Sequence, residues 1–430
     1  MKKKYVLVGT GGRAEFFYGA LVRDFQETSS LIAFCDSNQI RLNYANKLLE
    51  DKYGLEKINT YTSDKFDEMI EKEKPDIVIV TSVDRTHHRY IIRAMELGCD
   101  VITEKPMTVD AEKTQAIIDT IERTGQQVRV TFNYRYAPHN TKIRELIRDG
   151  VIGEVNSVHF EWALNTQHGA DYFRRWHRDK RNSGGLLVHK STHHFDLVNF
   201  WLNTEPETVY ATGGLRFYGK ENAERRGVTK FYQRAHGSEN AKGDPFAIDL
   251  EANEHLKSMY LDAEKEDGYQ RDQSVFGDGI SIEDTLGVVV TYKNKAILTY
   301  SLNAYLPWEG FQIAFNGSKG RIEVQVREQS YINSGGEKGG DEGKLKEKVL
   351  RVIPMFGEPY VVEVEEKAGG HGGGDPELLN DLFGVPKEDE FNRAASHIDG
   401  AISILTGIAG NKSLQTGQAI KVADLVDLKR

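Results

Sequence analysis

The chain has 430 residues, which is more than one ordinary hydrophobic core organises, so its length predicts two domains. A net charge of -9 argues against a nucleic-acid partner, because phosphate contacts need clustered lysine and arginine. No apolar run approaches the roughly 18 residues that span a bilayer, so no membrane partner is expected. Cys35 and Cys99 form neither a CxxC pair nor a disulfide framework, which favours a reducing, cytoplasmic location.

The first predicted element is a buried strand over residues 4–9, which runs directly into the sequence GTGGRA at 9–14. This is a GxGxxA pattern, whose glycines permit a tight turn and a close approach of the backbone to a pyrophosphate. The helix that follows offers free N–H groups and a positive dipole end. The pattern therefore predicts these cofactor-binding residues: Gly9, Gly11, Gly12 and Arg13.

The second strand, LIAFCD, ends at Asp36, about 25 positions after the glycine turn. An acidic residue there can accept hydrogen bonds from the adenosine ribose. It favours NAD as the cofactor over NADP, because it repels a 2′-phosphate. Ser37 and Arg41 lie close by and could weaken that discrimination. The alternative is a glycine-rich turn in some other α/β protein.

Strands and helices continue to alternate, which predicts a doubly wound parallel sheet. The segments are helix 41–51, strand 75–82, helix 86–98, strand 100–106, helix 110–124 and strand 126–136. Open α/β sheets bind ligands beyond the carboxyl ends of their strands. Further cofactor-binding candidates at these ends are Thr81, Ser82, Asp84, His87, Glu104, Lys105 and Asn133. We expect a Rossmann domain that binds NAD(P) over residues 1–137.

Lys105 stands in the tripeptide EKP at the end of the fourth predicted strand, where Pro106 restricts the backbone. A lysine there can donate a hydrogen bond to a reacting carbonyl or hydroxyl and stabilise developing negative charge. The alternative is a solvated surface lysine.

Residues 138–430 predict an α+β substrate domain with a large, mainly antiparallel open sheet. Strand patterns lie at 154–165, 207–219, 286–306, 311–326 and 348–365, and the third contains a Lys-Asn turn typical of a hairpin. One face of such a sheet needs covering, so self-association through it is expected. The last helix is predicted over 393–414.

Three segments of this domain have unusual composition. Residues 220–283 are highly charged and predict an insertion, either a lid at the mouth of the site or a peripheral decoration. Residues 334–345 are rich in glycine and charge and predict a mobile loop tip. Residues 369–375 surround His371 with five glycines, which favours a site loop of unusual backbone conformation over a plain linker.

The sequence HKSTHHFD at 189–196 lies in a helix predicted over 186–200. His189 and His193 are spaced i, i+4, as in some metal sites, with His371 or His177 as a third ligand, but no HExxH glutamate is present. His194 is predicted to be a bystander, and Asp196 to support the helix or orient His193. Candidate substrate-binding residues are Arg135, Arg174, Arg175, Trp176, His177 and His371, for which structural packing or hydrogen bonding is the alternative.

GTGGRA, Asp36, EKP and the run GG-x7-H-x2-D at 184–196 resemble the glucose–fructose oxidoreductase / inositol dehydrogenase family, Gfo/Idh/MocA, over nearly the whole chain. The resemblance implies NAD(P)-dependent chemistry on a sugar, polyol or related carbohydrate. It implies homodimers or homotetramers through the open sheet. It also implies that Lys105 contacts the reacting oxygen, that His193 is the acid/base, and that Asp36 binds the ribose. No metal is implied.

His189 departs from the family pattern, which commonly has Asp at this position. The site loses a fixed negative charge, and adjacent imidazoles are expected to depress each other's protonation. We therefore expect altered chemistry or an altered substrate. The leading hypothesis is a dehydrogenase. One alternative is a glycosidase or lyase that uses resident NAD for transient sugar oxidation and elimination, with His189 as an extra acid/base. The other alternative is a non-catalytic NAD-binding protein. The presence of Lys105 and His193 disfavours that alternative.

Overall fold

The computed structural model describes residues 2–329 and 347–429. The loop tip predicted at 334–345 lies outside the described residues. The strands are β1 (Lys3–Val8), β2 (Ser29–Asp36), β3 (Asn59–Thr62), β4 (Ile77–Val80), β5 (Asp100–Thr103), β6 (Val128–Val130), β7 (Val155–Asn165), β8 (Pro206–Gly214), β9 (Thr285–Tyr292), β10 (Ile297–Leu306), β11 (Glu309–Gly317), β12 (Gly320–Gln329), β13 (Glu347–Pro354), β14 (Tyr360–Val361) and β15 (Ile420–Lys421).

The helices are α1 (Ala14–Arg23), α2 (Gln39–Tyr53), α3 (Phe66–Glu73), α4 (His87–Glu96), α5 (Ala111–Thr124), α6 (Pro138–Arg148), α7 (Thr166–Arg174), α8 (Lys180–Ser183), α9 (Leu186–His189), α10 (Ser191–Leu202), α11 (Lys220–Arg225), α12 (Glu254–Leu256), α13 (Glu264–Asp267), α14 (Gly370–Phe383) and α15 (His397–Thr416). No helix of the described part is long and apolar enough to cross a membrane.

The first sheet has six parallel strands in the order β3-β2-β1-β4-β5-β6. Its central strands are apolar and buried, as parallel strands covered by helices on both faces must be. The chain reverses its direction of winding between β1 and β4, which opens a crevice at their carboxyl ends. The predicted Rossmann fold is confirmed.

The second sheet has nine strands in the order β14-β13-β12-β11-β7-β10-β9-β8-β15 and is antiparallel except where β7 pairs with β10. The predicted hairpins are confirmed as β9–β10 and β11–β12. Phe160 and Trp162 point to the inner face, where Trp162 stacks on His194 of α10. The residue between them, Glu161, therefore faces away from that helix, because side chains alternate along a strand.

Three predicted segments differ from the structure. The strand predicted over 126–136 is only β6, because residues 133–136 turn into a short helix. The helix predicted over 186–200 is interrupted at Lys190, which separates α9 from α10. The last helix begins at His397, where the Ser396 side chain accepts from the Asp399 N–H and the Asp399 carboxylate accepts from the Ser396 N–H.

The end of the chain contacts both sheets. Val130 of β6 donates its N–H to the carbonyl of Ala395 (3.2 Å), which attaches the approach to α15 to the first sheet. Further along α15, the Ser413 hydroxyl accepts from the N–H of Ala211 on β8 (2.9 Å). These contacts fix the first sheet relative to α9 and α10, which carry the histidines of interest.

Candidate active site

The glycine turn packs tightly against the end of β4. Gly9 has φ = 92°, and a Cβ on it would lie 2.5 Å from the backbone nitrogen of Ser82, so no side chain fits there. Thr81 donates its hydroxyl to the Gly9 carbonyl (2.6 Å). A Cβ on Gly11 would meet no atom within 4 Å. The turn thus offers the close backbone approach and the open space that a dinucleotide phosphate requires.

Asp36 joins the glycine turn to the start of α2. Its Oδ2 accepts from the N–H of Thr10 (2.6 Å) and from the Thr10 hydroxyl (3.1 Å), and its Oδ1 accepts from the N–H of Asn38 (2.9 Å). Ser37 is exposed beside it. Arg41 is directed to the charged insertion, where its Nη1 donates to Asp267 Oδ2 (2.5 Å).

The EKP turn is fixed from both sides. Arg13 donates from Nε to Glu104 Oε1 (2.6 Å), and the Lys105 N–H donates to Glu104 Oε2 (2.9 Å). His87 is buried, with one ring nitrogen 2.9 Å from the Pro106 carbonyl oxygen and the other 2.8 Å from that of Ser82. The backbone of Lys105 is therefore placed at the carboxyl end of the first sheet.

The carboxylate that the family pattern has at position 189 is supplied by Asp84, which follows β4. Its Oδ2 lies 2.5 Å from Nδ1 of His189, the last residue of α9. Burial raises the pKa of Asp84, against an opposing effect of Lys105. Burial, then His177 and Lys105, lower the pKa of His189 well below its ordinary value. The two directions leave the imidazole uncharged, and Lys105 is the charge that favours the ionised form of Asp84. In that form the carboxylate accepts from the His189 Nδ1–H.

His193 lies on α10 in a pocket of aromatic rings. Its ring centre is 5.1 Å from Tyr134, 6.0 Å from Phe132 and 5.9 Å from His371. Burial, then Lys105 and His371, lower the pKa of His193 well below its ordinary value, so the ring is neutral at neutral pH. Its Nδ1 is buried and has no hydrogen-bond partner among the described residues.

His194 points the other way, into the sheet. It stacks on Trp162 with ring centres 4.0 Å apart, and its Nδ1 lies 2.6 Å from the Tyr300 hydroxyl. These contacts make it a core residue, in agreement with the predicted bystander.

The glycine-rich loop at the start of α14 has the unusual backbone predicted for it. His371, Gly372 and Gly373 all have positive φ, of 51°, 65° and 87°. His371 Nδ1 lies 3.1 Å from both carboxylate oxygens of Asp375, which also accepts from Nδ2 of Asn133 (2.6 Å). The loop thereby brings an imidazole, a carboxylate and an amide to the side of the site occupied by His193.

A second group of rings surrounds His189. His177 lies 4.2 Å from it between ring centres and stacks on Trp176 at 3.6 Å. His177 is one cause of the lowered pKa of His189, as expected for neighbouring imidazoles. Nearby, the ring nitrogens of His168 lie 2.5 Å from Glu309 Oε1 and 3.0 Å from the Tyr172 hydroxyl. The sequence did not predict these hydrogen bonds of His168, because Glu309 is 141 positions away from it.

Two arginines predicted to bind substrate are hydrogen-bonded within the protein. Arg135 is buried and donates from Nε and Nη2 to the two carboxylate oxygens of Asp196 (2.8 and 2.6 Å), and Nη2 also reaches Asp399 (2.9 Å). Arg174 is buried and donates to the Phe246 carbonyl (2.8 Å). A buried guanidinium must satisfy its donors, so these side chains brace helices instead of facing a substrate.

Arg175 pairs with Asp171 at 3.1 Å and keeps 30% of its side chain exposed. It remains a candidate for contacting a ligand. A carboxylate that faces several arginines is strongly acidic: burial acts to raise the pKa of Asp171, but Arg271, Arg175 and Arg174 hold it well below its ordinary value.

The metal hypothesis finds no support in the geometry. The described residues contain no group of three or more His, Cys, Asp or Glu side chains that could hold a metal ion. The break at Lys190 gives His189 and His193 different surroundings, the first beside Asp84 and the second beside Tyr134.

Comparison with known proteins identifies the family of this chain. A family model described as "Oxidoreductase family, NAD-binding Rossmann fold" matches residues 3–132, and one described as "Oxidoreductase family, C-terminal alpha/beta domain" matches residues 144–422. This chain belongs to the Gfo/Idh/MocA family. It is therefore an NAD-binding oxidoreductase by family membership.

Individual Gfo/Idh/MocA relatives differ in how much of the chain they match. "Putative oxidoreductase YteT" of Bacillus subtilis (strain 168) is 35% identical over 445 residues and covers 99% of both chains. "Inositol 2-dehydrogenase" of Rhizobium meliloti (strain 1021) is 33% identical over 140 residues, 33% of this chain and 40% of that protein. The structure of an aldose-aldose oxidoreductase from Caulobacter crescentus superimposes with a TM-score of 0.62, covering 98% of this chain and 100% of that one at 16% identity, which shows a shared fold.

The buried histidines predict acid-sensitive folding. Burial lowers the pKa values of His177, His189 and His193 in the folded state, so the unfolded chain binds more protons below about pH 6.5. The contribution of these three histidines to the free energy of unfolding should then decrease as the pH falls below about 6.5, by up to about 1.4 kcal/mol per pH unit for each histidine, and should be constant above that pH.

Urea unfolding of His177→Phe between pH 5 and 8 should show a shallower slope than the wild type. His236→Gln, which removes an exposed histidine, is the control and should keep the wild-type slope. An equal slope in His177→Phe and the wild type contradicts the account.

Proposed function

We propose that this protein transfers a hydride between NAD and a hydroxyl-bearing carbon of a sugar, polyol or sugar derivative. The observation that carries the proposal is the pairing of Lys105 with a buried, neutral His193. Lys105 is the strongest of the charges that lower the pKa of His193, which places the two groups in one electrostatic environment. The name of the inositol dehydrogenase relative supports a polyol or sugar as the substrate class.

Lys105 and His193 have separate roles in the proposed reaction. A bound NAD would supply the nicotinamide ring that takes the hydride. Lys105 donates a hydrogen bond to the substrate oxygen and stabilises the negative charge that develops there. His193 takes the hydroxyl proton, because its ring is neutral and can accept one. Burial of His193 limits the access of water to that oxygen.

The residues around the cofactor have supporting roles. Gly11 leaves room for the pyrophosphate, Gly9 lets the turn pack against the end of β4, and the start of α1 offers free N–H groups to the pyrophosphate. Asp36 lies at the end of β2, where the adenosine ribose binds in this fold. Glu104 and Arg13 hold the turn that carries Lys105.

A second candidate function is a glycosidase or lyase that oxidises its sugar only transiently. The Asp84–His189 pair favours it, since elimination needs a further acid/base to protonate a leaving group. In that sequence, oxidation acidifies the C–H next to the new carbonyl, a base removes that proton, and the leaving group departs protonated. For a glycosidase, water then adds across the double bond that elimination forms, whereas a lyase leaves that bond in its product. A bound NADH would supply the hydride that reduces the carbonyl again, with no net change of the cofactor.

Self-association through the second sheet is part of the proposal. A continuous row of side chains crosses its outer face from Tyr210 through Val289, Thr299 and His159 to Ala314. Tyr210 and Val289 are 45% and 41% exposed. A face that mixes apolar and polar side chains in this way suits contact with a second copy in a homodimer or homotetramer.

Lys105→Met and His193→Ala should each lower turnover by about 10²- to 10⁴-fold, because each removes a group that acts only in the reaction. Binding of NADH, measured by its fluorescence, should change little in either variant. Lys65→Met, at an exposed lysine of the same domain, is the control and should retain full activity. Turnover at the wild-type rate in both Lys105→Met and His193→Ala would contradict the mechanism.

A panel of polyols, sugars and glycosides distinguishes the two candidate functions. Each compound is assayed for net NADH formation and, separately, for bond cleavage. The dehydrogenase proposal expects NADH to accumulate in proportion to product. Cleavage without NADH accumulation, lost in Asp84→Asn, would establish the second candidate in its place.

A further inference from the structure

A charged segment of the second domain lies against the cofactor half of the first. Residues 254–269, here named the clamp segment, contact the start of α2, directly after Asp36. Asn38 is fully buried and donates from Nδ2 to the Ala263 carbonyl (2.9 Å) and to Asp267 Oδ2 (3.0 Å). These contacts attach the segment to the loop that follows the ribose-binding position.

Arg41 is held by the clamp segment along its whole side chain. Its Nε donates to the Met259 carbonyl (3.1 Å), and its Nη1 donates to Asp267 Oδ2 (2.5 Å). Only 11% of the side chain is exposed, and Nη2 is buried with no partner among the described residues. Glu266 adds a second carboxylate here by accepting from the Gln39 N–H (2.5 Å).

Apolar contacts extend the clamp segment towards the glycine turn. Tyr44 of α2 forms a buried cluster with Leu256, Met259 and Tyr260. The Tyr260 hydroxyl lies 3.0 Å from where a Cβ on Gly12 would stand. The segment therefore reaches from the end of β2 to the phosphate-binding turn.

The second domain fixes the position of the clamp segment. Arg234 donates to both carboxylate oxygens of Glu264 (2.7 and 2.6 Å) and lies 2.8 Å from Asp272. Arg271, just beyond the segment, is buried and lies 2.7 Å from Asp171 of α7. The segment is thus part of the folded protein and not a peripheral decoration.

In the Rossmann fold, an acidic residue after the second strand binds the ribose hydroxyls of NAD, whereas a nearby arginine accommodates the 2′-phosphate of NADP. Arg41 is five positions beyond Asp36 and is the arginine placed for that role by sequence. Its guanidinium is already neutralised by Asp267. A 2′-phosphate would have to displace that carboxylate and would face three acidic side chains, Asp36, Glu266 and Asp267.

We propose that Asp267, by holding Arg41, makes the cofactor site select NAD over NADP. The inference rests on the proposed use of NAD and adds a residue of the other domain to the determinants of cofactor choice. Selectivity of this kind has two sources. The phosphate finds no free cation to pair with, and a nearby anion repels it.

The test is titration of the protein with NADH and NADPH, followed by cofactor fluorescence. The wild type should prefer NADH. Asp267→Asn should strengthen NADPH binding relative to NADH by about tenfold, which is the contribution of one charge-assisted hydrogen bond from the released Arg41. Asp262→Asn removes an exposed carboxylate of the same segment and should keep the wild-type ratio.

Two further variants make the result specific to Arg41. Arg41→Ala combined with Asp267→Asn should lose the gain in NADPH binding. Arg41→Ala alone should leave the wild-type preference for NADH intact, because Arg41 is already neutralised. This single variant tests the proposal even if Asp267→Asn fails to fold, as judged by circular dichroism and thermal unfolding.

Each other outcome overturns a defined claim. Any one of three results overturns the role of Asp267. They are an unchanged ratio of NADPH to NADH binding in folded Asp267→Asn, a gain in NADPH binding that survives the double substitution, and weaker NADPH binding in Arg41→Ala alone. Equal binding of both nucleotides by the wild type overturns this inference alone. A wild type that binds neither nucleotide overturns the proposed function itself.

Discussion

The hydrogen bond between Asp84 and His189 is the contact on which the site depends. Asp84 stands at the carboxyl end of the first sheet, and His189 ends a helix of the second domain. Both groups are buried beside Lys105, so each is sensitive to the charge of the others. The bond therefore links the two domains and couples the protonation of Asp84 to that of His189.

Burial, together with the positive charge of Lys105, explains why the surrounding histidines are neutral. His177, His189 and His193 all have lowered pKa values, with burial as the main cause in each and Lys105 as a contributor. A further positive charge beside Lys105 would be costly in a buried position, so these imidazoles stay uncharged. Replacing the family's aspartate by His189 keeps this balance, because Asp84 provides the carboxylate from the other domain.

Features encoded by local sequence were predictable. The glycine turn, Asp36 and the EKP turn follow from short patterns with a mechanical reason, and alternation along strands indicated both sheets. The backbone of the loop around His371 was predictable because only glycine-rich sequence tolerates it.

Pairings between distant residues were not predictable. Asp84 and His189 are 105 positions apart, and Arg41 and Asp267 are 226 apart, so no local pattern links them. Arg135 was assigned to the substrate because its type and position suit that role. Its burial against Asp196 depends on how α10 packs, which tertiary structure alone determines.

The most direct test of the account is the protonation state of His189, measured by nitrogen-15 NMR of histidine-labelled protein at pH 7. The account predicts a neutral His189 ring in the Nδ1–H tautomer. The His189 signal is identified as the one that disappears in His189→Gln. The same tautomer should lose its preference in Asp84→Asn, because the amide can also donate. A doubly protonated His189, or an Nε2–H tautomer in the wild type, would contradict it.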